Sequence, residues 1–287
     1  YMTTENFTID HAELESDLAA ILTNAKTIHN TIEHKKLALS LIDLTTLNAT
    51  DTEEKVRAFT QKVNEFPDHF PDLENVAAIC VYPNMVKAVE ETLQLPEVNI
   101  ASVSGGFPSS MTFTSVKVEE TKMAIKAGAD EIDIVLALSH FLANDFEAAH
   151  YDIQSIKDAM GEVHLKVILG AGALETPENI WKASMLAINA GADFIKTSTG
   201  KMNPAATPMA AYVMCLAIAF HYEQTGLKIG FKPAGGIVTP DDALIYLSIV
   251  KEVLGDDWLN PHLFRLGASR LANNLLTDIT GNEVNFF

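Results

Sequence analysis

The sequence predicts an α/β fold, a closed (β/α)8 TIM barrel that follows an N-terminal helical extension. Its 287 residues, of which 48% are hydrophobic and 20% charged, suit one large core better than two small ones. Short runs rich in Val and Ile recur about every 32 residues, with amphipathic helical patterns between them. The segments KAGADEIDIV at 126–135 and NAGADFIKTS at 189–198 share one helix end and one strand start. Eight strands alternating with helices favour a closed barrel over an open sheet.

Each strand is predicted from its apolar or alternating character. Gly128 and Gly191 are expected to end the helices before the fourth and sixth strands, because glycine adopts the left-handed conformation that turns the chain. In chain order, the strands are predicted near 41–45, 76–81, 100–103, 131–136, 165–169, 194–198, 229–233 and 264–267.

The segments around the strands complete the predicted organisation. Residues 1–34 are polar with a helical rhythm and are assigned to the N-terminal helical extension. The barrel is expected over 35–278 and a C-terminal tail over 279–287. The longest apolar run, 209–220, follows a proline that suits the first turn of a helix, and it is too short to span a bilayer. It is predicted to be a buried helix.

Composition excludes several classes of function. The formal net charge of −18 argues against a nucleic-acid or anionic membrane surface, since both require clustered Lys and Arg. Cys80 and Cys215 have neither disulfide nor zinc-site spacing, and the nine histidines form no HExxH motif. No metal or other cofactor is therefore predicted. Because no basic segment followed by an apolar run opens the sequence, a cytoplasmic location is expected.

Charged side chains stand at unusual positions in the predicted strands. Lys196 and Lys232 each lie in a buried strand and are followed by glycines. Burying an unpaired ammonium is costly, so lysine at such a position indicates a chemical role. Since side chains alternate across a strand, the apolar neighbours of Asp43, Asp133 and Lys166 turn these residues into the barrel as well. The predicted interior thus holds two carboxylates and three ammonium groups.

This charge count indicates amine chemistry. Two acids can pair with two lysines, which leaves the third lysine to meet an anionic ligand or to lose its proton. An amine beside a second cation has a pKa below its usual value of about 10.4 and becomes a nucleophile toward carbonyl groups. The set predicts Schiff-base formation, with Asp133 as the acid–base group. Lys166 could instead be only an ion partner of Asp133 or Asp43, and this alternative stays open.

Glycines after the seventh and eighth strands predict a phosphate-binding rim. Gly235, Gly236, Gly267 and Ser269 offer unobstructed backbone N–H groups that lead into helix N-termini. Barrels of this kind commonly bind phosphate at that place. Lys201, on the loop after the sixth strand, is expected to join these donors.

Seven motifs follow one another along the sequence. They are LIDLTTLN at 41–48, AAICVYP at 77–83, GADEIDIV at 128–135, LKVIL at 165–169, GADFIKTSTGK at 191–201, GFKPAGGI at 230–237 and RLGAS at 265–269. Together they resemble the motifs of the class I deoxyribose-phosphate aldolase family, over roughly residues 35–276. The resemblance implies a TIM barrel that reversibly cleaves 2-deoxy-D-ribose 5-phosphate to acetaldehyde and D-glyceraldehyde 3-phosphate, without metal or organic cofactor.

The resemblance also implies roles for single residues. Lys196 would form the Schiff base, Lys232 would lower the pKa of that amine and join the proton relay, and Asp133 would be the acid–base carboxylate. Asp43 and Lys166 fall on pocket positions. Aldehydes and sugar phosphates are the expected partners, with no nucleic acid, no membrane and a possible homodimer. The family's phosphate-binding positions are occupied by Gly200, Lys201, Gly235, Gly236, Gly267 and Ser269.

Three departures from the family pattern bear on substrate preference. Residues 170–173 read GAGA where the family usually carries an acid-Thr-Gly-acid run, so a roomier and less polar pocket is expected there. The sequence ends in NEVNFF rather than in the terminal tyrosine of many relatives, which leaves another group or water to assist proton transfer. Arg270 stands where some relatives have a second serine, and its guanidinium is expected to strengthen the anion site.

Two alternative functions stay open at this point. The GAGA segment motivates a Schiff-base aldolase with another preference for aldehyde donor or acceptor. A non-catalytic sugar-phosphate-binding barrel would keep the phosphate rim and lose turnover. Reductive trapping of acetaldehyde on Lys196 separates catalysis from binding alone.

Overall fold

The computed structural model describes residues 9–287, and a parallel barrel of eight strands lies at its centre. The strands are β1 (Ile42–Thr45), β2 (Ala78–Val81), β3 (Asn99–Val103), β4 (Glu131–Val135), β5 (His164–Ile168), β6 (Phe194–Lys196), β7 (Gly230–Lys232) and β8 (Leu266–Ala268). They are hydrogen-bonded in the order β7-β6-β5-β4-β3-β2-β1-β8. Two isolated bridges, Phe231 to Phe264 and Ala234 to Gly267, join the seventh strand to the eighth. The sheet closes in this way, and the predicted TIM barrel is confirmed.

Helices occupy the connections and form the outer layer. They are α1 (His11–Lys26), α2 (Ile32–Ser40), α3 (Glu53–His69), α4 (Val86–Thr92), α5 (Thr114–Ala127), α6 (Leu138–Leu142), α7 (Phe146–Asp158), α8 (Ala171–Leu174), α9 (Pro177–Asn189), α10 (Pro208–Thr225), α11 (Pro240–Leu254) and α12 (Leu271–Thr280). Short 3-10 turns cover Pro83–Met85 and Asp256–Trp258.

Three of the helices begin with the same dipeptide, threonine followed by proline. The Thr side chain accepts a hydrogen bond from a backbone N–H in the first turn, and the fixed φ of Pro suits that turn. These dipeptides are Thr176–Pro177 in α9, Thr207–Pro208 in α10 and Thr239–Pro240 in α11. The helix predicted to begin at Pro208 is thereby confirmed as α10.

The predicted alternation of side chains is confirmed in the strands that form the site. Ile132 and Ile134 of β4 and Val167 of β5 belong to the main hydrophobic core. Asp133 and Lys166 lie between these residues in sequence and point the other way, where they form an ion pair inside the barrel. The glycine predicted to end α5, Gly128, has a φ of 119° and caps that helix.

Helices α1 and α2 lead into the barrel. Asp10 caps α1 by accepting hydrogen bonds from the backbone N–H groups of Ala12 and Glu13, and α1 packs along α11. Residues 1–8 of the predicted extension lie outside the described residues. The predicted segment boundaries after residues 34 and 278 fall inside α2 and α12, so both helices run from one predicted segment into the next. No helix in residues 9–287 has the length and apolar composition needed to cross a membrane.

Candidate active site

The interior of the barrel holds a buried cluster of charged side chains. None of its members is more than 4% exposed. The five residues predicted from the sequence are present, and two further residues join them. The members are the carboxylates of Asp43, Glu131 and Asp133 and the cations of Lys166, Lys196, Lys232 and Arg265.

One half of this cluster is a chain of alternating charges that starts at β4. Lys166 Nζ donates to Glu131 Oε2 over 2.6 Å and to Asp133 Oδ1 over 2.9 Å. The second oxygen of Asp133, Oδ2, accepts a hydrogen bond of 2.8 Å from Lys232 Nζ. Each of these charges therefore has an opposite charge within hydrogen-bond distance.

The other half closes the chain into a ring. Lys232 Nζ lies 2.5 Å from Asp43 Oδ2, and Arg265 Nη1 donates to Asp43 Oδ1 over 2.7 Å. Arg265 Nη2 donates to Glu131 Oε1 over 2.6 Å and completes the circuit. We call the resulting set of six residues, Asp43, Glu131, Asp133, Lys166, Lys232 and Arg265, the charge ring.

Lys196 is the one interior charge of this cluster outside the charge ring. Its Nζ donates to Asp133 Oδ2 over 2.8 Å, the same oxygen that binds Lys232. In the register of the sheet, Lys196 of β6 is paired with Lys232 of β7. Three carboxylates and three cations make the ring neutral when all six are ionised. The ammonium of Lys196 would be a surplus positive charge.

The pKa of Lys196 is correspondingly lowered. Burial lowers it most, Asp133 opposes that effect, and the neighbouring ammonium of Lys232 lowers it further. The Lys232 pKa shifts the other way. Burial again acts to lower it, but Asp133 and Asp43 together raise it above its usual value. The pKa values of two lysines in adjacent strands are thus shifted in opposite directions, which makes Lys196 the candidate amine nucleophile.

The carboxylates of the site stay ionised despite burial. Burial acts to raise the pKa of Asp133, but Lys166, Lys196 and Lys232 hold it well below its usual value. The pKa of Glu131 is lowered in the same way, against burial, by Lys166 and Arg265. The oxygens of these groups are occupied by ammonium and guanidinium. In the described part of the chain, no group of three or more His, Cys, Asp or Glu residues is arranged to hold a metal ion.

A cavity of about 240 Å³ opens above Lys196 at the ends of the strands. Lys196 is 3% exposed, whereas Asp133, Lys166 and Lys232 are fully buried beneath it. The amine of Lys196 is therefore the group of the charged cluster that a ligand in this cavity can touch. The residues predicted for the phosphate rim all line the cavity, namely Gly200, Lys201, Gly235, Gly236, Gly267, Ser269 and Arg270.

The rim is built by a close approach of backbone segments. Gly200 and Gly235 have φ values of 75° and 88°, a region that favours glycine. A Cβ on Gly235 would lie 2.6 Å from the Cβ of Ala205, and one on Gly267 would lie 3.2 Å from Lys232 Cε. Glycine at these positions lets the backbone segments approach each other and, at Gly267, whose N–H donates to the carbonyl oxygen of Pro233, leaves room for the buried lysine.

Side chains after β6 fix the edge of the cavity. Ser198 Oγ donates to the carbonyl oxygen of Ala234 over 2.5 Å, and the backbone N–H of Ala234 donates to Thr197 Oγ1 over 3.0 Å. These bonds tie the end of β6 to the end of β7. Lys201 donates from its Nζ to the carbonyl oxygen of Leu47 and so bridges the rim to the loop after β1.

A small cluster of apolar side chains lies on β2, on β3 and on the loop after β1. Cys80 of β2 faces the interior with Ala78, Ala101, Val103 and Leu47, and the rings of Tyr82 and Phe107 pack against them. Burial raises the pKa of the Cys80 thiol. Of this cluster, Leu47 lines the cavity, whereas Ala78, Cys80, Ala101 and Val103 are fully buried.

Little open space lies beside residues 170–173, and the roomier, less polar pocket expected there relative to the family stays a prediction. The space there measures about 20 Å³ and is lined by residues that include Gly170, Gly172 and Pro204. A Cβ on Gly172 would lie 2.1 Å from the carbonyl oxygen of Pro204. Because residue 172 has no side chain, the segment around Pro204 approaches and fills the space that larger side chains would occupy.

The last residues of the sequence lie away from the cavity. Phe287 stacks on Phe66 of α3 with ring centroids 5.8 Å apart, and Phe286 contacts Phe70. Asn273 of α12 accepts hydrogen bonds from the backbone N–H groups of both terminal phenylalanines. Neither of these two phenylalanines lines the cavity that Lys196 lines.

Sequence reasoning missed two members of the cluster, Glu131 and Arg265. A signal for both was present, because Glu131 is two residues before Asp133 and Arg265 is two residues before Gly267. Residues two apart on a strand share a face. For Asp43 and Lys166, the structure places both side chains in the ring and fully buried, so direct contact with a substrate stays a prediction.

Comparisons with known proteins identify relatives of this chain. A family model described as DeoC/LacD family aldolase matches residues 37–253. The deoxyribose-phosphate aldolase of Homo sapiens is 44% identical over 249 residues, which cover 83% of this chain and 78% of the human protein. That of Bos taurus is 42% identical over 245 residues, covering 82% of this chain and 77% of the bovine protein.

A solved structure is also similar to this chain. The deoxyribose phosphate aldolase from Aeropyrum pernix, which is tetrameric, aligns with a TM-score of 0.66 at 25% identity. The alignment covers 90% of this chain and 96% of that one.

Proposed function

The chain belongs to the DeoC/LacD family of aldolases, and from this premise we propose that it cleaves 2-deoxy-D-ribose 5-phosphate through a Schiff base on Lys196. It is an aldolase, and therefore a lyase, of the deoxyribose-phosphate type. The observation that carries the proposed mechanism is the position of Lys196. It is the one amine of the charged cluster that lines the cavity, and its pKa is lowered.

The reaction would begin at the Lys196 amine. Its Nζ adds to the aldehyde carbon of the open-chain sugar, and loss of water from the carbinolamine gives the Schiff base. The bond between C2 and C3 then breaks as the C3 hydroxyl loses its proton, and the bonding electrons move into the iminium. D-glyceraldehyde 3-phosphate leaves. Protonation of the enamine at C2 and hydrolysis release acetaldehyde and restore the amine.

Asp133 and Lys232 would move the protons in these steps. Asp133 Oδ2 lies 2.8 Å from the Nζ of both Lys196 and Lys232, so one oxygen contacts the nucleophile and its neighbour. An ionised carboxylate there can accept the proton that Lys196 gives up during addition. Lys232, held in its charged form, favours the neutral amine of Lys196 and can return a proton to the carboxylate.

The glycine-rich rim supports recognition of the phosphate. The backbone of Gly235 and Gly236 and the side chains of Lys201 and Arg270 line the same cavity as Lys196. Backbone donors and cations are the groups that bind phosphate oxygens. A substrate that spans the cavity would place its phosphate there and its aldehyde at Lys196.

Reductive trapping tests the proposal. The protein is incubated with acetaldehyde and sodium cyanoborohydride, and the modified peptide is identified by mass spectrometry. We expect an ethyl adduct on Lys196 that forms at least about 10-fold faster than on any other lysine, because its amine is the least protonated. Lys196→Met should abolish both the adduct and cleavage of 2-deoxy-D-ribose 5-phosphate.

A matched control uses a lysine at the surface. Lys228→Met removes an exposed ammonium paired with Asp257 and should leave trapping and turnover unchanged. An intact, folded protein that gives no adduct on Lys196 would contradict the proposal, and it would favour the alternative of a barrel that only binds sugar phosphates.

Assembly and location stay predictions. The homodimer expected from the sequence is proposed without an assigned interface. A cytoplasmic location is proposed from the two cysteines, Cys80 and Cys215, which are both free and buried.

A further inference from the structure

We propose that Glu131 and Arg265 are positioning residues whose opposite charges keep the charge ring neutral, so that Lys196 is the interior group that gives up its proton. The inference rests on the proposed Schiff-base function and deepens it. It assigns the tuning of the nucleophile to two residues that do not line the cavity.

The two residues act through their neighbours. Glu131 binds Lys166, which in turn binds Asp133 Oδ1. Arg265 binds Asp43, which lies 2.5 Å from Lys232 Nζ. Glu131 thus acts on Asp133 through Lys166, and Arg265 acts on Lys232 through Asp43.

Glu131 and Arg265 also form a direct ion pair with each other. Arg265 donates from Nη2 to Glu131 Oε1 over 2.6 Å and from Nη1 to Glu131 Oε2 over 3.0 Å. Such paired contacts fix the orientation of both groups. A further hydrogen bond of 2.8 Å from Asn99 Nδ2 also holds Glu131 Oε1.

Charge balance gives the arrangement its effect on Lys196. The groups that act on Lys196 are Asp133 from β4, Lys232 from β7 and the thiol of Cys80 from β2. Behind them lie the remaining ring members from β1, β4, β5 and the segment before β8, namely Asp43, Glu131, Lys166 and Arg265. With three anions and three cations balanced, a proton on Lys196 would be an uncompensated charge in a buried site.

A purely structural role for the pair makes a different prediction. Removing one partner of a buried ion pair destabilises a protein, whichever partner is removed. Charge balance instead requires the two removals to change the protonation of Lys196 in opposite directions. The sign of the change separates the two explanations.

The experiment compares Glu131→Gln with Arg265→Gln. For each variant, the rate of acetaldehyde trapping with cyanoborohydride is measured against pH, and the midpoint of the rise is taken as the apparent pKa of Lys196. Arg265→Gln leaves the ring with one surplus negative charge and should move the midpoint up. Glu131→Gln leaves a surplus positive charge and should move it down. Each shift should be about one pH unit, the size expected for a unit charge about 10 Å away in protein.

Two further variants serve as controls. The double variant Glu131→Gln/Arg265→Gln restores a neutral ring, and its midpoint should return to within about 0.3 pH units of the wild type. Lys117→Met/Asp152→Asn removes another buried ion pair, 2.8 Å long, between α5 and α7 outside the barrel. It should lower stability and leave the midpoint unchanged.

Several outcomes would overturn the proposal. Shifts of the two single variants in the same direction, or no shift in either, would leave Glu131 and Arg265 with a structural role only. If a single variant does not fold, the double variant decides, because a midpoint displaced by more than about half a pH unit contradicts charge balance. A wild type that gives no adduct on Lys196 would refute the proposed function itself, which is a distinct result.

Discussion

Lys196 and Lys232 are neighbours in the sheet, yet their surroundings give them different chemistry. Lys232 contacts two carboxylates, Asp133 and Asp43, and is held in the charged form. Lys196 shares a single carboxylate oxygen with Lys232. One additional carboxylate contact thus distinguishes Lys232 from Lys196, the proposed nucleophile.

At the rim of the cavity, Arg270 allows a test of phosphate recognition. Arg270→Ala should raise the KM for 2-deoxy-D-ribose 5-phosphate about 10-fold, because a charged hydrogen-bond donor to the phosphate is lost. The KM for free acetaldehyde in the synthetic direction should change much less, since acetaldehyde carries no phosphate. Initial rates in both directions measure the two constants.

The surface variant Lys228→Ala serves as the control for lost positive charge. Equal increases in both constants for Arg270→Ala would remove Arg270 from the phosphate site.

Much of the site could be predicted from single residues, and the missing part has a physical reason. Lys196, Lys232 and Asp133 stand out because charged residues are rare between apolar ones in a strand. Glu131 is the first residue of β4 and Arg265 directly precedes β8, so alternation gives little contrast with the neighbouring loop. Their role depends on a contact between residues 134 positions apart, which a local pattern does not contain.

Among the elements, short α8 and the loop before α10 depend on each other. A Cβ on Gly172 of α8 would overlap the carbonyl oxygen of Pro204. Gly172→Ala should therefore displace the segment that carries Lys201, lower stability by about 1–3 kcal/mol and raise the KM for the phosphorylated substrate. Thermal unfolding and steady-state kinetics measure these two effects.

Gly161→Ala is a suitable comparison. No atom lies within 4 Å of a Cβ at Gly161, but its φ is 62°. That variant should show only the backbone cost of about 1 kcal/mol, with KM unchanged. A Gly172→Ala variant with the stability and KM of the wild type would contradict the packing described for α8.

Element boundaries show where the sequence pattern was sufficient. Strand β4 was predicted over 131–136 and runs over Glu131–Val135. Strand β6 was predicted to reach residue 198 but ends at Lys196. Thr197 and Ser198 donate from their hydroxyls to the carbonyl oxygen of Ala234, a tertiary contact that a local pattern does not contain. The packing of segment 170–173 likewise depends on a distant partner, Pro204.

In the whole molecule, stability should depend on pH through His29, which joins the N-terminal helices to α11. Its side chain is 4% exposed, and Nδ1 lies 2.9 Å from Ser248 Oγ. Burial lowers its pKa below 6.5, although Glu252 opposes the shift. The unfolded chain thus binds a proton more readily than the folded protein, so stability is lost as pH falls below 6.5.

We expect the melting temperature of the wild type to fall between pH 6.5 and pH 5, and His29→Gln to reduce that fall by about 2 °C. Scanning calorimetry at several pH values measures the slope. His164→Gln, which alters an exposed histidine at the start of β5, should keep the wild-type slope. If His29→Gln has the same dependence of melting temperature on pH as the wild type, His29 does not contribute to the pH dependence of stability.

The charge ring also links the assembly of the barrel to the appearance of activity. Asp43 and Arg265, 222 positions apart, come from opposite ends of the barrel sequence and meet only when the first and last strands are side by side. A chain in which the final strand has not yet docked would carry unpaired charges where the nucleophile must lie. Catalysis during refolding should therefore emerge with barrel closure and not gradually with the gain of helix.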